Sequence, residues 1–473
     1  MSEQWQQGNL VEVAIADLSD SGDGVGRFGE RVVFVPNTVP GDKILARLIR
    51  VKPKYALGKV QEILEPGSSR IRPNCIVADK CGGCQWQHIA YDLQLQAKKN
   101  LIVQALERIG NIDEPPVKPV LPARVPLGYR NKATYPLGLS NSGQVQAGYY
   151  QKGSHQLINL NRCPVQDDRL NPLLQEIKQD IQKRGWSIYN ELLHSGEVRH
   201  LSLRIGRRTG EMLLTLVVRS GPMSPLPANL ELNKLPLSGI EEQARQWLDR
   251  YPQLVGVCLN VNPARTNAIF GAKTFCIAGR PYLQELFAGL EFRLRPDTFF
   301  QVNTETAETL LEVILDRLDL QGNETSIDAY CGIGTFTLPL AKRVRQAIGF
   351  EVQLAAVEQA RENASLLGLT NVRFEQGKAE TLLLQLPQLA KIAQPDIVLL
   401  DPPRKGCAIS CLDALLKIRP RHIVYISCQP ATLARDLKIL SQGGYRIDCV
   451  QPADFFPQTP HVESVAFLVF EEN

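Results

Sequence analysis

The chain has 473 residues, of which 44% are hydrophobic and 22% charged, values typical of a globular protein with about three domains by length. A disordered, collagenous or mini-scaffold chain is thereby excluded. The start, MSEQWQQGNL, has neither a basic region nor an apolar run, so no signal peptide is expected. No stretch reaches the ~20 consecutive apolar residues of a membrane helix. A cytoplasmic setting follows, with the 11 cysteines expected to be reduced, metal-bound or catalytic.

The net charge of +4 divides unevenly. Residues 1–290 carry 35 Lys and Arg against 26 Asp and Glu, whereas residues 291–473 carry 18 against 23. A basic front half joined to an acidic back half points to a polyanion partner for the first.

Residues from about 8 to 65 alternate apolar and polar in LVEVAIADL, ERVVFVP, KILARLIRV and GKVQEIL, with turn signals between. Several short strands within about 60 residues predict a small OB-like barrel. Its later part carries Lys43, Arg47, Arg50, Lys52, Lys54 and Lys59 with Tyr55 among them. That is either a solvated face or a set of phosphate contacts with an aromatic platform. Three thiols follow, Cys75, Cys81 and Cys84, with Gly82 and Gly83 allowing a tight wrap. Next comes a helix over YDLQLQAKKNLIVQALERIG, stopped at Gly110. From about 116 to 290 the pattern is strand-rich, and residues 98–208 hold 17 basic against 9 acidic side chains. The Pro- and Leu-rich stretch 221–238 reads as a loop. Beyond about 291, strands and helices alternate (TSIDAY, TLPLAKRV, QAIGFE, QLAAVEQARENASLLG, VRFEQ, PDIVLLDPP, LDALLKI, HIVYISC, TLARDLKIL), predicting an α/β doubly wound sheet.

Three strand ends in that sheet carry chemistry. Asp328-Ala-Tyr330-Cys-Gly332-Ile-Gly334-Thr-Phe336 leaves a strand and opens a helix, so backbone amides can approach an anionic or polar ligand. Glu351 ends the next strand, 17 positions after Gly334, where a carboxylate can accept from ribose hydroxyls. The loop lacks the full G-x-G-x-x-G fingerprint, which favours S-adenosylmethionine over NAD. Asp401-Pro-Pro-Arg404 ends the strand DIVLL, and HIVYISC delivers Cys428 to the same edge. A cysteine emerging at such an edge is a candidate nucleophile, given an electropositive setting that Arg404 and Arg435 are positioned in sequence to supply. Glu463, opening the last apolar strand, is a candidate proton acceptor, with His461 as its rival. The thiols Cys75, Cys81 and Cys84, with Cys163 as a fourth, suit either an iron–sulfur cluster or tetrahedral zinc.

The motifs FFQVN, DAYCGIGTF, DPPRKG, ISCQPATLARDL and FFPQTPHVES, in that order, resemble the RNA uracil-5-methyltransferases, in particular the branch that methylates 23S ribosomal RNA. The resemblance spans essentially the whole chain. It implies a TRAM barrel over 1–62, a cluster-bearing and RNA-binding segment over 63–290, and a Rossmann-like catalytic domain over 291–473. It further implies that Cys75, Cys81, Cys84 and Cys163 ligate a [4Fe–4S] cluster, and that Gln301, Tyr330, Glu351 and Asp401 bind S-adenosyl-L-methionine. Cys428 matches the family's nucleophile and Glu463 its general base. The departures are Tyr330 where the family often has Phe, and Thr335 and Gln429 where it often has Asn. These blur the subgroup rather than the reaction.

The implied chemistry explains the residue types. Uracil C5 is too weak a nucleophile to take a methyl group directly; addition of a Cys428 thiolate to C6 gives an enolate whose C5 can, after which a base removes the C5 proton and the thiol leaves. The base must be splayed or flipped out of its stack. Phe299 is a candidate to stack on it, or else a core residue. Two other readings are a tRNA T-loop uracil-5-methyltransferase and a non-enzymatic RNA-binding or assembly factor. The partner expected is 23S rRNA or a ribosome-assembly intermediate, the protein being a monomer without membrane attachment.

Overall fold

The computed structural model describes residues 5–220, 237–390 and 394–471. Most of the expected loop at 221–238 therefore lies outside the described residues. The contacts divide the chain into two units, one bounded by Met1–Pro126, Thr309–Tyr330 and Lys378–Asn473, the other by Leu127–Glu308 and Cys331–Gly377.

The first unit opens with a closed barrel of five strands, β1 (Leu10–Leu18), β2 (Gly24–Phe28), β3 (Arg31–Val35), β4 (Lys43–Val51) and β5 (Tyr55–Glu65), in the order β1-β2-β3-β5-β4. Period-2 patterning is the cause: Val11, Val13 and Ile15 point inward to meet Val33, Val35, Ile44, Ala46, Leu48 and Ala56. The intervening positions face out, and Arg47, Arg50, Lys52, Lys54, Tyr55 and Lys59 are all exposed. Arg47 and Lys59 are register partners on β4 and β5, so the basic side chains share one outer face.

Helix α1 spans Tyr91–Arg108 and buries Gln94, Ala97, Lys98, Ile102 and Leu106. Leu18, Val39, Trp86, Ile89 and Ala97 form one core cluster, with Leu93 and Leu101 packed against it. The sheet of this unit has the parallel strands Thr325–Asp328, Ile397–Leu400 and His422–Ser427, followed by the antiparallel Glu463–Phe470 and Tyr445–Ala453. The strand Ile397–Leu400 is buried at every position, as a strand covered on both faces requires. Residues 116–121 run beside Tyr445–Ala453: the amide of Val450 donates to Pro116 O, and those of Lys118 and Leu121 donate to Val450 O and Pro452 O. That edge is therefore closed to pairing by another chain.

The second unit holds a seven-stranded sheet in the order Lys273–Gly279, Leu254–Val261, Met212–Val218, Val198–Ile205, Lys132–Leu139, Val145–Tyr150, Leu157–Asn159. Only Met212–Val218 and Leu254–Val261 are parallel, and the helix Ile240–Arg250 lies between them in the chain. Asp180 of the helix Asn171–Arg184 accepts from Trp247 Nε1 at 2.8 Å and pairs with Arg250. The parallel pair Gln346–Glu351 and Val372–Gln376 also belongs to this unit. The helix expected over TLPLAKRV is short, Thr337–Ala341.

Candidate active site

In the first unit, three strands deliver side chains to one edge. Asp328 pairs with Leu399 and Leu399 with Val424, so the parallel strands run toward one edge of the sheet, where Asp401 and Cys428 follow the last paired residues. The antiparallel partner is set by the pair Ser427–Ser464, which Cys428 follows and Glu463 precedes, and the Glu463 carboxylate acts on the Cys428 thiol. Cys428 is half-buried and Glu463 buried, whereas His461 is exposed.

The electrostatics follow from that geometry. Burial pushes the Cys428 thiol up to about 11, with the Glu463 carboxylate adding to the rise and Arg404 opposing it. Asp401 is pushed up to about 7 by burial and by the neighbouring charge of Asp328. Glu463 lies well above the usual carboxylate range, first through burial, then through Asp401, against the pull of Arg404. Cys428 is thus held as a thiol, beside two carboxyl groups whose affinity for a proton is raised. The electropositive setting expected from sequence is only half present. Arg404 faces the thiol electrostatically, but Arg435 donates to Asp436 Oδ1 at 2.7 Å and to the carbonyls of Lys405 and Cys407 at 3.1 and 3.2 Å. Its work is to pin the loop that follows Asp401. Tyr425 and Asp436 complete that anchor by accepting from the Cys407 amide.

Tyr330, half-buried, directs its hydroxyl toward Cys407 Sγ and Cys411 Sγ at 3.8 and 3.7 Å, and its amide donates to Asp328 Oδ1 at 3.2 Å. Asp328 was not singled out in the sequence, although an acid closing the strand TSID is the signal that could have found it.

In the second unit, the turn after Cys331 suits a cofactor with a polar or anionic end. Gly332 and Gly334 have φ of +53° and +87°, a region L-residues with side chains enter at a cost. A Cβ on Gly334 would stand 2.9 Å from Leu338 Cγ, while one on Gly332 would meet nothing within 4 Å. The turn is thus packed on one side and open on the other. Glu351 ends its strand half-buried, with Oε1 accepting from the Gln353 amide at 2.8 Å.

The segment 295–304 of this unit is clamped from below. Arg204 donates to Arg295 O and Thr298 O at 2.9 and 2.6 Å, Lys132 to Pro296 O at 2.9 Å, and Asn131 Nδ2 to Gln301 O at 2.8 Å. Gln301 is buried, but Phe299 is 66% exposed between the buried Thr298 and Phe300. Phe299 is therefore not a core residue.

Of the cysteine set, Cys75, Cys81 and Cys84 are half-buried in the first unit, and Cys163 is buried in the second. Burial, with a contribution from Cys75, raises the Cys81 thiol, while the Gly83 amide donating to its Sγ at 3.4 Å acts the other way. Among the described residues no three His, Cys, Asp or Glu side chains converge into a metal-binding group.

Comparison with known proteins gives these residues a context. Residues 282–470 match the tRNA (Uracil-5-)-methyltransferase family model, and residues 4–61 match the TRAM domain. An uncharacterized RNA methyltransferase of Nostoc sp. strain PCC 7120 is 64% identical over 99% of this chain and 98% of its own length. The chain belongs to the uracil-5 RNA methyltransferases. A second uncharacterized RNA methyltransferase, from Synechocystis sp. strain PCC 6803, is 55% identical over 98% of this chain and 96% of its own length. The crystal structure of Pyrococcus abyssi tRNA (uracil-54, C5)-methyltransferase in complex with S-adenosyl-L-homocysteine is 26% identical, covers 97% of this chain and 100% of its own, and superposes with a TM-score of 0.73. The methyltransferase accordingly has an N-terminal TRAM barrel and a C-terminal methyltransferase fold, uses S-adenosyl-L-methionine, and acts on RNA. No described helix is long and apolar enough to cross a membrane.

Proposed function

We propose that this enzyme methylates C5 of a uridine in 23S ribosomal RNA through a covalent bond between Cys428 and uracil C6. The observation that carries the reading is the electrostatic contact of the Cys428 thiol with the carboxyl groups of Glu463 and Asp401 just beyond the Ser427–Ser464 pair. S-adenosyl-L-methionine supplies an electrophilic methyl group, with Gln301, Tyr330, Glu351 and Asp401 as its proposed binding residues. Cys428 Sγ gives its proton to solvent and bonds to C6, and C5 takes the methyl group as S-adenosyl-L-homocysteine leaves. Glu463 removes the C5 proton, and the Cys428–C6 bond breaks with its electron pair returning to sulfur as the thiolate. The raised affinity of Glu463 for a proton suits it to removing the C5 proton. Phe299, aromatic and exposed, is the proposed surface on which a nucleobase stacks.

Residues 1–62 serve as the RNA-binding barrel, 63–290 as the cluster-bearing and RNA-binding segment, and 291–473 as the catalytic domain of a monomeric cytoplasmic enzyme. Cys75, Cys81, Cys84 and Cys163 are proposed to hold a [4Fe–4S] cluster in a structural or RNA-positioning role. Four thiolates are the donor set such a cluster takes, and the Gly83 amide aimed at Cys81 Sγ is the kind of bond that tunes cluster sulfurs. Protein purified without oxygen should be brown with a broad visible shoulder; a colourless preparation with stoichiometric zinc contradicts the cluster.

The Pyrococcus match along the whole chain favours one second reading, a tRNA T-loop substrate. Mapping 5-methyluridine in the rRNA and tRNA of a strain lacking the gene separates the two. Loss of a 23S site is the expected result, and loss of the T-loop methyl group instead overturns it.

A further inference from the structure

We propose that Gln94 of α1 and Gln458 are positioning residues for the general base. This rests on Glu463 being that base. The residues between the strands Tyr445–Ala453 and Glu463–Phe470 deliver Glu463, and a hairpin loop of that length has no strand partner of its own to fix it. Here it is fixed by side chains together with backbone bonds from the segment that precedes α1. Gln458 is a non-glycine residue with φ of +71°, a left-handed backbone that persists only when its surroundings impose it. Its amide donates to Gln94 Oε1 at 2.9 Å, and its Oε1 accepts from Gln94 Nε2 at 3.2 Å. Its carbonyl accepts from the amides of Gln85 and Trp86 at 3.1 and 2.9 Å.

Gln94 is buried, and its Nε2 also reaches Trp86 O and Ile89 O at 3.1 and 2.9 Å. One turn along α1, Lys98 binds Asp454 and donates to Phe456 O at 3.0 Å. Two polar side chains on the buried face of one helix thus grip the start and the middle of the loop that leads to Glu463. A satisfied buried amide pair contributes less to stability than to a single fixed geometry, and proton removal from C5 needs the carboxylate within hydrogen-bond reach.

The loop also meets the RNA-binding barrel and the cysteine segment. Trp86, two residues beyond Cys84, donates through Nε1 to Gly22 O at 3.0 Å in the β1–β2 turn. A Cβ on Gly22 would lie 3.0 Å from Trp86 Nε1 and 3.2 Å from Pro460 Cγ. Barrel turn, cysteine loop and base-carrying loop are in contact there, and the Gln94–Gln458 pair locks the last of them.

The test uses the full enzyme with S-adenosyl-L-methionine and two RNAs, unmodified RNA from the deletion strain and a 5-fluorouridine transcript of the methylated region. Trapping by 5-fluorouridine requires Cys428 addition and methyl transfer but no proton removal, so it isolates the steps before the base. In Gln94→Met, turnover should fall about tenfold to a hundredfold and a covalent protein–RNA complex should accumulate on normal RNA. Capture of the 5-fluorouridine transcript should stay within about twofold. Gln94→Glu keeps the acceptor for the Gln458 amide and should recover part of the turnover. Gln458→Ala, which leaves the backbone bonds in place, gives the same comparison if Gln94→Met lowers the melting temperature. Wild-type turnover in both Gln94→Met and Gln458→Ala, while Glu463→Gln stalls, overturns the proposal. So does a parallel loss of capture and turnover, which marks a scaffold defect. Normal turnover by Glu463→Gln instead overturns the base assignment itself.

Discussion

Cys428 follows Ser427 and Glu463 precedes Ser464, the last register pair of two antiparallel strands, and the Glu463 carboxylate raises the Cys428 thiol. Sheet register thus brings the proposed nucleophile and the proposed proton acceptor to the same edge. Glu463→Gln removes the acceptor without changing shape. Turnover should fall by about 10²–10⁴-fold, with covalent protein–RNA adduct visible on a denaturing gel. Turnover without adduct would remove Glu463 from the reaction.

Arg404 is the positive charge that lowers the Cys428 thiol against burial and the carboxylates. In Arg404→Gln the thiol, already pushed up to about 11, should rise further. The pH profile for capture of 5-fluorouridine RNA should therefore shift to the alkaline side, while Arg435→Gln should leave it in place. Measured capture rates across pH decide this, and equal profiles for Arg404→Gln and wild type would contradict it.

Asp401 has a folded-state pKa of about 7, above its ordinary 3.8. Its protonated form therefore favours the folded state: the contribution is complete below the ordinary value and is lost as pH rises through about 7. Asp401→Asn should melt at a temperature that varies less with pH between these limits, and should gain most over wild type on the alkaline side. An unchanged pH dependence of melting would contradict the burial of this carboxyl group beside Asp328.

Much of the site was legible in the sequence because its strands are fully buried. The apolar runs DIVLL and HIVYIS announce parallel strands, and the residues that end them fall at the ligand edge. The thiol's environment was not legible. Basic residues near Cys428 in sequence suggested a lowered pKa, but burial and two carboxylates from other strands dominate, and Arg435 is committed to Asp436. Gln94 and Lys98 were equally hidden. Polar residues on an amphipathic helix read as a solvated face, and only the fold shows that the 454–458 loop reaches them. Phe299 read in sequence as either a stacking surface or a core aromatic, and its exposure follows only from the fold, in which the buried Arg204 and the half-buried Lys132 hold the backbone before it.

Lys98 and Asp454 form an ion pair with both side chains fully buried. Lys98→Met leaves Asp454 without its cation and should cost about 3–5 kcal/mol of stability. The double variant Lys98→Met/Asp454→Leu should recover a large part of it. Chemical denaturation of the three proteins measures both effects, and a Lys98→Met variant as stable as wild type would contradict the pairing.

The exposed Phe299 should matter for RNA and not for folding. Phe299→Ala should melt as wild type does but weaken RNA binding by about 1–3 kcal/mol, whereas Phe299→Tyr should bind normally. Unchanged affinity in Phe299→Ala would remove it from the RNA surface.

The covalent route through Cys428 is tested most directly by the fate of the uracil C5 hydrogen. Substrate RNA carrying tritium at C5 of its uridines is incubated with the enzyme and S-adenosyl-L-methionine, and released tritium is compared with methyl groups incorporated. One tritium should enter water for each methyl group transferred, and Cys428→Ala should release none. Methyl transfer with the tritium retained, or continued release by Cys428→Ala, would contradict the mechanism.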